Sequence, residues 1–281
     1  MNVAVIGAGA MGSGIAQAVA AAGHSVILVD TTQAALDRAQ LGIASSTERL
    51  VKRGSISEEQ AARMAAITMQ TTYDGFANVE LVIEAVFESV AAKEAVWRAV
   101  NDAAPATAIF ASNTSSLSIT ELAQFVDNKE RFCGMHFFNP VAMMPLVEVV
   151  RAMDTAEETT TFVRDFATEI GKQPIVCEDK PGFIVNRLLI PYINDAVHAL
   201  AEGVASAEDI DTAMKLGANM PIGPLGLADL VGIDVGLAAT ESLFHEFGDP
   251  KFRPHPLMRQ MVRAGRLGRK TGRGFFDYRK E

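Results

Sequence analysis

Apolar and polar positions along this chain follow two rhythms. Up to about residue 180, short β-branched runs recur between helical stretches; beyond it, helical periodicity continues almost alone. Near the N-terminus "NVAVIG" reads as a buried strand, "SGIAQAVAAAG" as a helix stopping at Gly23, and "HSVILVD" as a second buried strand. Alanine favours the helix, and a glycine just past it supplies the left-handed residue that ends one. This order predicts a βαβ unit with parallel strands. Further strand-like runs follow at "ELVIEAV", "TAIFASN", "RFCGMHFF", "PLVEVV" and "QPIVCE". Helical stretches separate the first three. The last three follow one another closely, so part of the sheet is expected to depart from a simple parallel arrangement.

Residues 33–66 are longer than the dozen or so residues that a crossover needs. Leu36, Ala39, Ile43 and Leu50 recur at helical spacing, and Arg38, Arg49, Lys52 and Arg53 occupy the other face. "KRGSISEE" breaks this helix, with Ser57 as the N-cap of the next. The stretch predicts a helix–turn–helix excursion from the sheet. After "DKPGFIVNR", "RLLIPYINDAVHALAEG" predicts a long apolar helix kinked or started at Pro191, and Ser206 caps "AEDIDTAMKLG" with Asp209 three residues on. The expected organisation is two domains, 1–182 with an α/β core and 183–281 all-α.

Composition narrows the function without naming it. The chain has 281 residues, 49% hydrophobic and 21% charged, which is ordinary for a globular protein. A net charge of −9 argues against nucleic acid or an anionic membrane as partner, so an anionic small ligand would need a local basic site. Cys133 and Cys177 have no metal-ligand spacing and make no disulfide framework; buried reduced thiols are expected, and no metal. The opening "MNVAVIGAGAMG" lacks a charged n-region and a cleavage site, no apolar run reaches spanning length, and the cytoplasm is the expected compartment.

"GAGAMG" places Gly7, Gly9 and Gly12 in a G-x-G-x-x-G pattern between a strand and a helix. Alone the pattern is weak, because glycines cluster in many turns. Here Asp30 ends the second strand eighteen residues after Gly12, which is the context a dinucleotide site requires. Gly7 permits the turn, Gly9 the approach of a pyrophosphate, Gly12 close helix packing, and the helix N-terminus favours the anion, flanked by Ala10 and Met11. Asp30 would accept from a ribose 2′-hydroxyl and repel a 2′-phosphate, which favours NAD over NADP.

"MHFFNPVAMMPLVEVV" puts His136 and Glu148 in an otherwise apolar run. A lone histidine there is more often a hydrogen-bonded core residue, and a lone glutamate often faces solvent from an edge strand. A buried carboxylate without a partner costs several kcal/mol, so two adjacent strands that bring the pair together would serve both groups. A carboxylate on one ring nitrogen fixes the tautomer and raises basicity, and the dyad can then take a proton from an alcohol while hydride leaves for a nicotinamide. "SNTSSLSIT", residues 112–120, is a polar loop after a strand. It can cap a helix through Ser118, bind a ligand at the carboxyl end of the sheet, or both.

Taken together, "VIGAGAMGSGIAQ", "FASNTSSLSIT", "HFFNPVAMMPLVEVV", "DKPGFIVNRLL", "DIDTAMKLG" and "GRKTGRGFFDY" resemble the L-3-hydroxyacyl-CoA dehydrogenase family, in particular its short bacterial 3-hydroxybutyryl-CoA members, in order and through nearly the whole chain. The resemblance implies a Rossmann-like N-terminal domain, a helical C-terminal domain that dimerises, and oxidation of an (S)-3-hydroxyacyl-CoA by NAD. It places the catalytic histidine on His136, its partner on Glu148, the serine that contacts substrate and cofactor on Ser115, and the active-site asparagine on Asn186. Contacts to the nicotinamide half of NAD fall on Glu88, Lys93, Asn139 and Lys270. Coenzyme A contacts fall on the excursion at Ser46, Arg49, Lys52 and Arg53, whose plainer reading is a solvated basic face. Two rival functions stay open: a related dehydrogenase of a free sugar acid, and a non-catalytic NAD-binding protein. The His136–Glu148 pair argues against the second, and the basic excursion argues against the first.

Overall fold

The computed structural model describes residues 1–279. Two units divide the chain, Met1–Phe183 and a second beginning at Ile184. The first is built on eight strands: β1 Asn2–Ile6, β2 Ser25–Val29, β3 Thr68–Gln70, β4 Leu81–Glu84, β5 Ile109–Ser112, β6 Phe132–Phe137, β7 Leu146–Arg151 and β8 Gln173–Glu178. They form one sheet in the order β3-β2-β1-β4-β5-β6-β7-β8. Every neighbour pair is parallel except β6–β7, which is antiparallel. The chain therefore reverses once, where its strand-like runs crowd together and only an eight-residue link separates two strands. A short link can join antiparallel strands but cannot cross over between parallel ones.

Helices α1 Ala10–Ala21, α2 Gln33–Lys52, α3 Glu58–Ala65, α4 Val90–Ala103, α5 Ile119–Leu122 and α6 Glu157–Glu169 accompany the sheet. One apolar layer joins Val3, Val5 and Ile83 to Ile15 and Val19 of α1, Leu36 and Ile43 of α2, and Val163 and Phe166 of α6. The opposite layer joins Ala4, Ile6 and Val82 to Trp97 and Val100 of α4. The sheet is thus covered on both faces, and its central strands are continuous apolar runs, as burial on both faces demands. Gly23 ends α1 at φ +102. Ser57 and Gln60 form a reciprocal capping box at the start of α3. The excursion of α2 and α3 leads into β3, a strand the sequence pattern does not reveal. Its three residues, Thr-Met-Gln, are too few to establish alternation, and their pairing with β2 decides their conformation. Cys133 is buried, and its thiol is pushed up to about 12 by that burial, whereas Cys177 on the edge strand is half-buried rather than enclosed.

The described part of the second unit is helical: α7 Val185–Ala201, α8 Ala207–Gly217, α9 Pro224–Val231, α10 Ile233–Phe247 and α11 Pro256–Arg263. Pro191 lies inside α7, and Ser206 caps α8 by accepting from the Asp209 N–H. Val197, Leu225, Ile233 and Met258 centre its core. Two buried aspartates hold its backbone. Asp211 accepts from the N–H groups of Leu225 and Gly226 at 2.9 and 2.8 Å, and Asp229 accepts from Phe275 and Phe276 at 2.9 Å each. Burial raises the Asp229 carboxyl above its ordinary range, against those hydrogen bonds.

Candidate active site

At the exit of β1 the backbone turns into α1 under tight constraint. Gly7 has φ +102, and a Cβ there would lie 2.5 Å from the Ala85 carbonyl oxygen; a Cβ on Gly12 would lie 1.8 Å from the Gly7 carbonyl oxygen. Neither position accepts a side chain. Gly9 differs, since a Cβ there would meet nothing within 4 Å. It opens α1 without a side-chain cap, so the first N–H groups of the helix, at Ala10, Met11 and Gly12, stay available to an anion. Asp30, at the end of β2, accepts from the Ala8 N–H through Oδ2 at 2.8 Å. That bond fixes the carboxylate beside the loop and leaves Oδ1 on Thr31 and the Thr32 N–H at a long 3.4 Å each. An uncapped helix start, an open glycine and a pinned carboxylate fit the pyrophosphate and ribose of a dinucleotide. A cavity of about 410 Å³ adjoins the loop, lined by Gly9, Ala10, Arg38, Ser46, Asn139 and Val141 among others.

His136 and Glu148 stand directly opposite each other on antiparallel β6 and β7. Their side chains share one face, and His136 Nδ1 meets Glu148 Oε2 at 2.7 Å. The residues are 5% and 1% exposed, so the pair is desolvated and its attraction is little screened. Rings of Phe138 and Phe183 lie 4.5 and 5.8 Å from the imidazole centroid. Phe183 holds φ +49, a left-handed conformation that is rare and costly for an aromatic residue, and it is itself buried. With Nδ1 committed to the carboxylate, Nε2 is the nitrogen left for chemistry.

Ser115 lies on the loop after β5, which is organised around one carboxylate. Glu88 Oε1 accepts from Thr114 Oγ1 at 2.6 Å, the Ser115 N–H at 2.9 Å, and the Ser116 N–H and hydroxyl at 3.1 Å each. Ser115 Oγ approaches the same atom at 3.3 Å. Partial burial would raise the Glu88 carboxyl, but Lys93 and these hydrogen bonds outweigh it and hold the carboxyl below its ordinary range. Lys93 is 1% exposed and bridges two carboxylates, Glu84 at 2.6 Å and Glu88 at 3.3 Å. Glu84 also accepts from Ser112 Oγ at 2.6 Å. Below the loop, Asp179 accepts from Ser118 Oγ and from the N–H groups of Ile119 and Thr120. Ser118 caps α5 as its position in the sequence predicts.

The other expected site residues are more dispersed. Asn139 is exposed on the β6–β7 connection and lines the cavity beside the glycine loop. On the excursion, Ser46 lines that cavity with Arg38, one helical turn either side of Gly42. Arg49, Lys52 and Arg53 are exposed and do not line it, and Arg49 donates to Ser45 Oγ at 2.9 Å. In the second unit Asn186 is half-buried in the first turn of α7. Lys270 pairs with Asp234 at 2.6 Å, and this bond holds the Asp234 carboxyl low despite partial burial. Sequence reasoning missed Glu84, Asp179 and Phe183 as supports and Arg38 as a cavity residue. The i, i+4, i+8 spacing of Arg38, Gly42 and Ser46 was a readable signal for the last; nothing local announced the others.

Residues 2–180 match the model of the 3-hydroxyacyl-CoA dehydrogenase NAD binding domain, and residues 182–278 that family's C-terminal domain. The chain belongs to the 3-hydroxyacyl-CoA dehydrogenase family. It is 46% identical to the 3-hydroxybutyryl-CoA dehydrogenase of Clostridioides difficile, with all of both chains covered. It is 42% identical to the mitochondrial hydroxyacyl-coenzyme A dehydrogenase of Homo sapiens, covering 99% of this chain and 91% of that one. Among solved structures, (S)-3-hydroxybutyryl-CoA dehydrogenase PaaH1 from Ralstonia eutropha superposes with a TM-score of 0.95 at 47% identity, covering 99% of this chain and 98% of that chain. The glycine loop described above thus belongs to an NAD-binding domain of an oxidoreductase family.

Proposed function

We propose that this protein catalyses the reversible NAD-dependent oxidation of a short-chain (S)-3-hydroxyacyl-CoA, such as 3-hydroxybutyryl-CoA, to the 3-oxoacyl-CoA. The observation that carries the reading is the desolvated His136–Glu148 pair at 2.7 Å, in a chain whose first strand ends in an uncapped dinucleotide loop. When bound, NAD supplies the hydride acceptor. His136 Nε2 takes the 3-hydroxyl proton as hydride leaves C3, and returns it in the reverse direction. Glu148 holds the ring and stabilises the imidazolium that forms. Ser115 and Asn186 are assigned to the substrate oxygens. Glu88, Lys93, Asn139 and Lys270 are assigned to the nicotinamide half of the cofactor, with Lys93 acting through Glu88. Ser46, Arg49, Lys52 and Arg53 are assigned to coenzyme A.

The same reading makes 1–182 the NAD-binding domain and 183–281 the domain that dimerises. The second unit leaves Leu188, Val204, Leu216 and Leu230 more than half exposed, which suits a self-associating surface. Among the described residues no helix is long and apolar enough to cross a membrane. The cytoplasm is the proposed compartment. The test compares NADH oxidation with acetoacetyl-CoA and with free acetoacetate. Turnover of the thioester with little turnover of the acid supports the reading; the reverse preference would move the protein to the free-acid dehydrogenases.

A further inference from the structure

The connection between β6 and β7 carries Asn139 past the glycine loop, yet most of it is exposed. Asn139, Pro140, Ala142, Met143, Met144 and Pro145 face solvent, and Val141 alone is buried between them. Ordering such a segment costs backbone entropy, so its position depends on its anchors. One is steric: the Val141 side chain packs so closely on α1 that a Cβ on Gly14 would approach it to 3.0 Å. A second is the Gln173 N–H, which donates to the Pro145 carbonyl at 2.8 Å at the strand end.

The third anchor is Lys172. Residues 140–144 form a single turn, closed by the N–H groups of Met143 and Met144 on the Pro140 carbonyl. A lone turn leaves its later carbonyls without partners. Lys172 Nζ donates to two of them, on Val141 and, at 3.0 Å, on Met144. Its side chain is buried, burial pulls the amine below its ordinary range, and no carboxylate among the described residues forms an ion pair with it. Burying a cation on two neutral carbonyls is unfavourable compared with an apolar side chain of the same length. What the lysine adds over such a side chain is a hold on this turn.

We propose that Lys172 is a positioning residue for the proposed reaction. By clamping the carbonyls of Val141 and Met144, it holds Asn139 where the turn lines the cavity beside Gly9 and Ala10, so that the nicotinamide end of the cofactor is held in register with His136. The proposal rests on the NAD-dependent dehydrogenase reading. Its signature is selective: the glycine loop and Asp30 are untouched by Lys172, so the adenosine and pyrophosphate should still bind when the clamp is lost.

The experiment measures dissociation constants of NADH, by its fluorescence, and of ADP-ribose, by displacement, for wild type, Lys172→Met and Lys172→Arg. Lys172→Met should weaken NADH by about five- to tenfold, a part of the worth of the lost charged hydrogen bonds, since they act on the cofactor only through the turn, and ADP-ribose by less than about twofold. It should also lower turnover at saturating NADH. Lys172→Arg, which restores a cation with several donors, should recover most of the NADH affinity. Equal weakening of both ligands would make Lys172 a general support of the fold and overturn the proposal. So would unchanged affinity for both, or failure of both variants to melt cooperatively. Failure of the wild type to bind NADH would instead refute the dehydrogenase reading beneath it.

Discussion

Two sets of charged side chains in the first unit stand at opposite extremes. Glu148 and Lys93 are each 1% exposed, and each has an opposite partner within 2.7 Å: His136 for one, Glu84 for the other. Arg49, Lys52 and Arg53 lie exposed on α2 and its C-terminal end, and no ion pair among the described residues holds them. Burial explains the difference. A desolvated charge is tolerated only with a partner in good geometry, so its neighbours are dictated. A solvated charge pairs weakly, with a typical exposed ion pair contributing no more than about 1 kcal/mol, and its neighbours are free to vary. The buried set therefore tells more about mechanism than the exposed set tells about substrate.

The sharpest way to break this contrast is to remove a buried cation. Lys93→Met should lower unfolding free energy by about 3–5 kcal/mol, because buried Glu84 loses its ion-pair partner. Lys52→Met should change it by less than about 0.5 kcal/mol. Denaturant melts of the two variants check this, and similar losses would erase the distinction between the two sets. Next in size is Glu148→Gln, which keeps shape and a hydrogen bond but removes the charge that supports the imidazolium. Turnover should fall by about 10- to 100-fold, less than the 10²- to 10⁴-fold that general acid–base catalysis supplies in full, because the imidazole itself remains. NADH binding should hardly move. A rate within twofold of wild type would reduce Glu148 to a packing role.

Asp30 lies between the extremes, half-buried with one oxygen committed to the Ala8 N–H. Asp30→Ala should weaken NAD by about five- to tenfold, short of the full worth of a charged hydrogen bond because the carboxylate is only half-buried. NADP should lose less, because a like-charge barrier disappears with the acceptor. Equal losses in calorimetric titrations would take Asp30 off the ribose. The smallest effect is expected from Arg49, Lys52 and Arg53 replaced together by alanine. The Michaelis constant for acetoacetyl-CoA should rise by about two- to threefold at low salt and less at high salt, while that for NADH stays fixed. A truncated thioester without the nucleotide that responds equally would show that this face does not recognise coenzyme A.

The same contrast governs what could be read before the fold was known. The βαβ start, the non-parallel departure near the middle of the chain and the all-helical second part follow from apolar periodicity, because the core imposes it. The His136–Glu148 pairing follows from the cost of burying each alone. β3 did not show, since three residues, one exposed and two half-buried, carry no period and their neighbour β2 determines them. Phe183 at φ +49 and the Asp179 cap of α5 did not show either. One is a backbone state forced on an unremarkable residue, and the other joins groups about sixty positions apart in the chain. Lys172 was hidden for the same reason, as its carbonyl partners are on another strand connection.

The central claim is that His136 moves the proton while the glycine loop binds the cofactor independently. The most direct measurement follows NADH formation from (S)-3-hydroxybutyryl-CoA by wild type and His136→Ala, with the NADH dissociation constant determined on both. The account predicts a loss of about 10²- to 10⁴-fold in turnover, with NADH affinity unchanged within about twofold. Near-normal turnover in a folded variant, or a parallel loss of NADH binding, would contradict it.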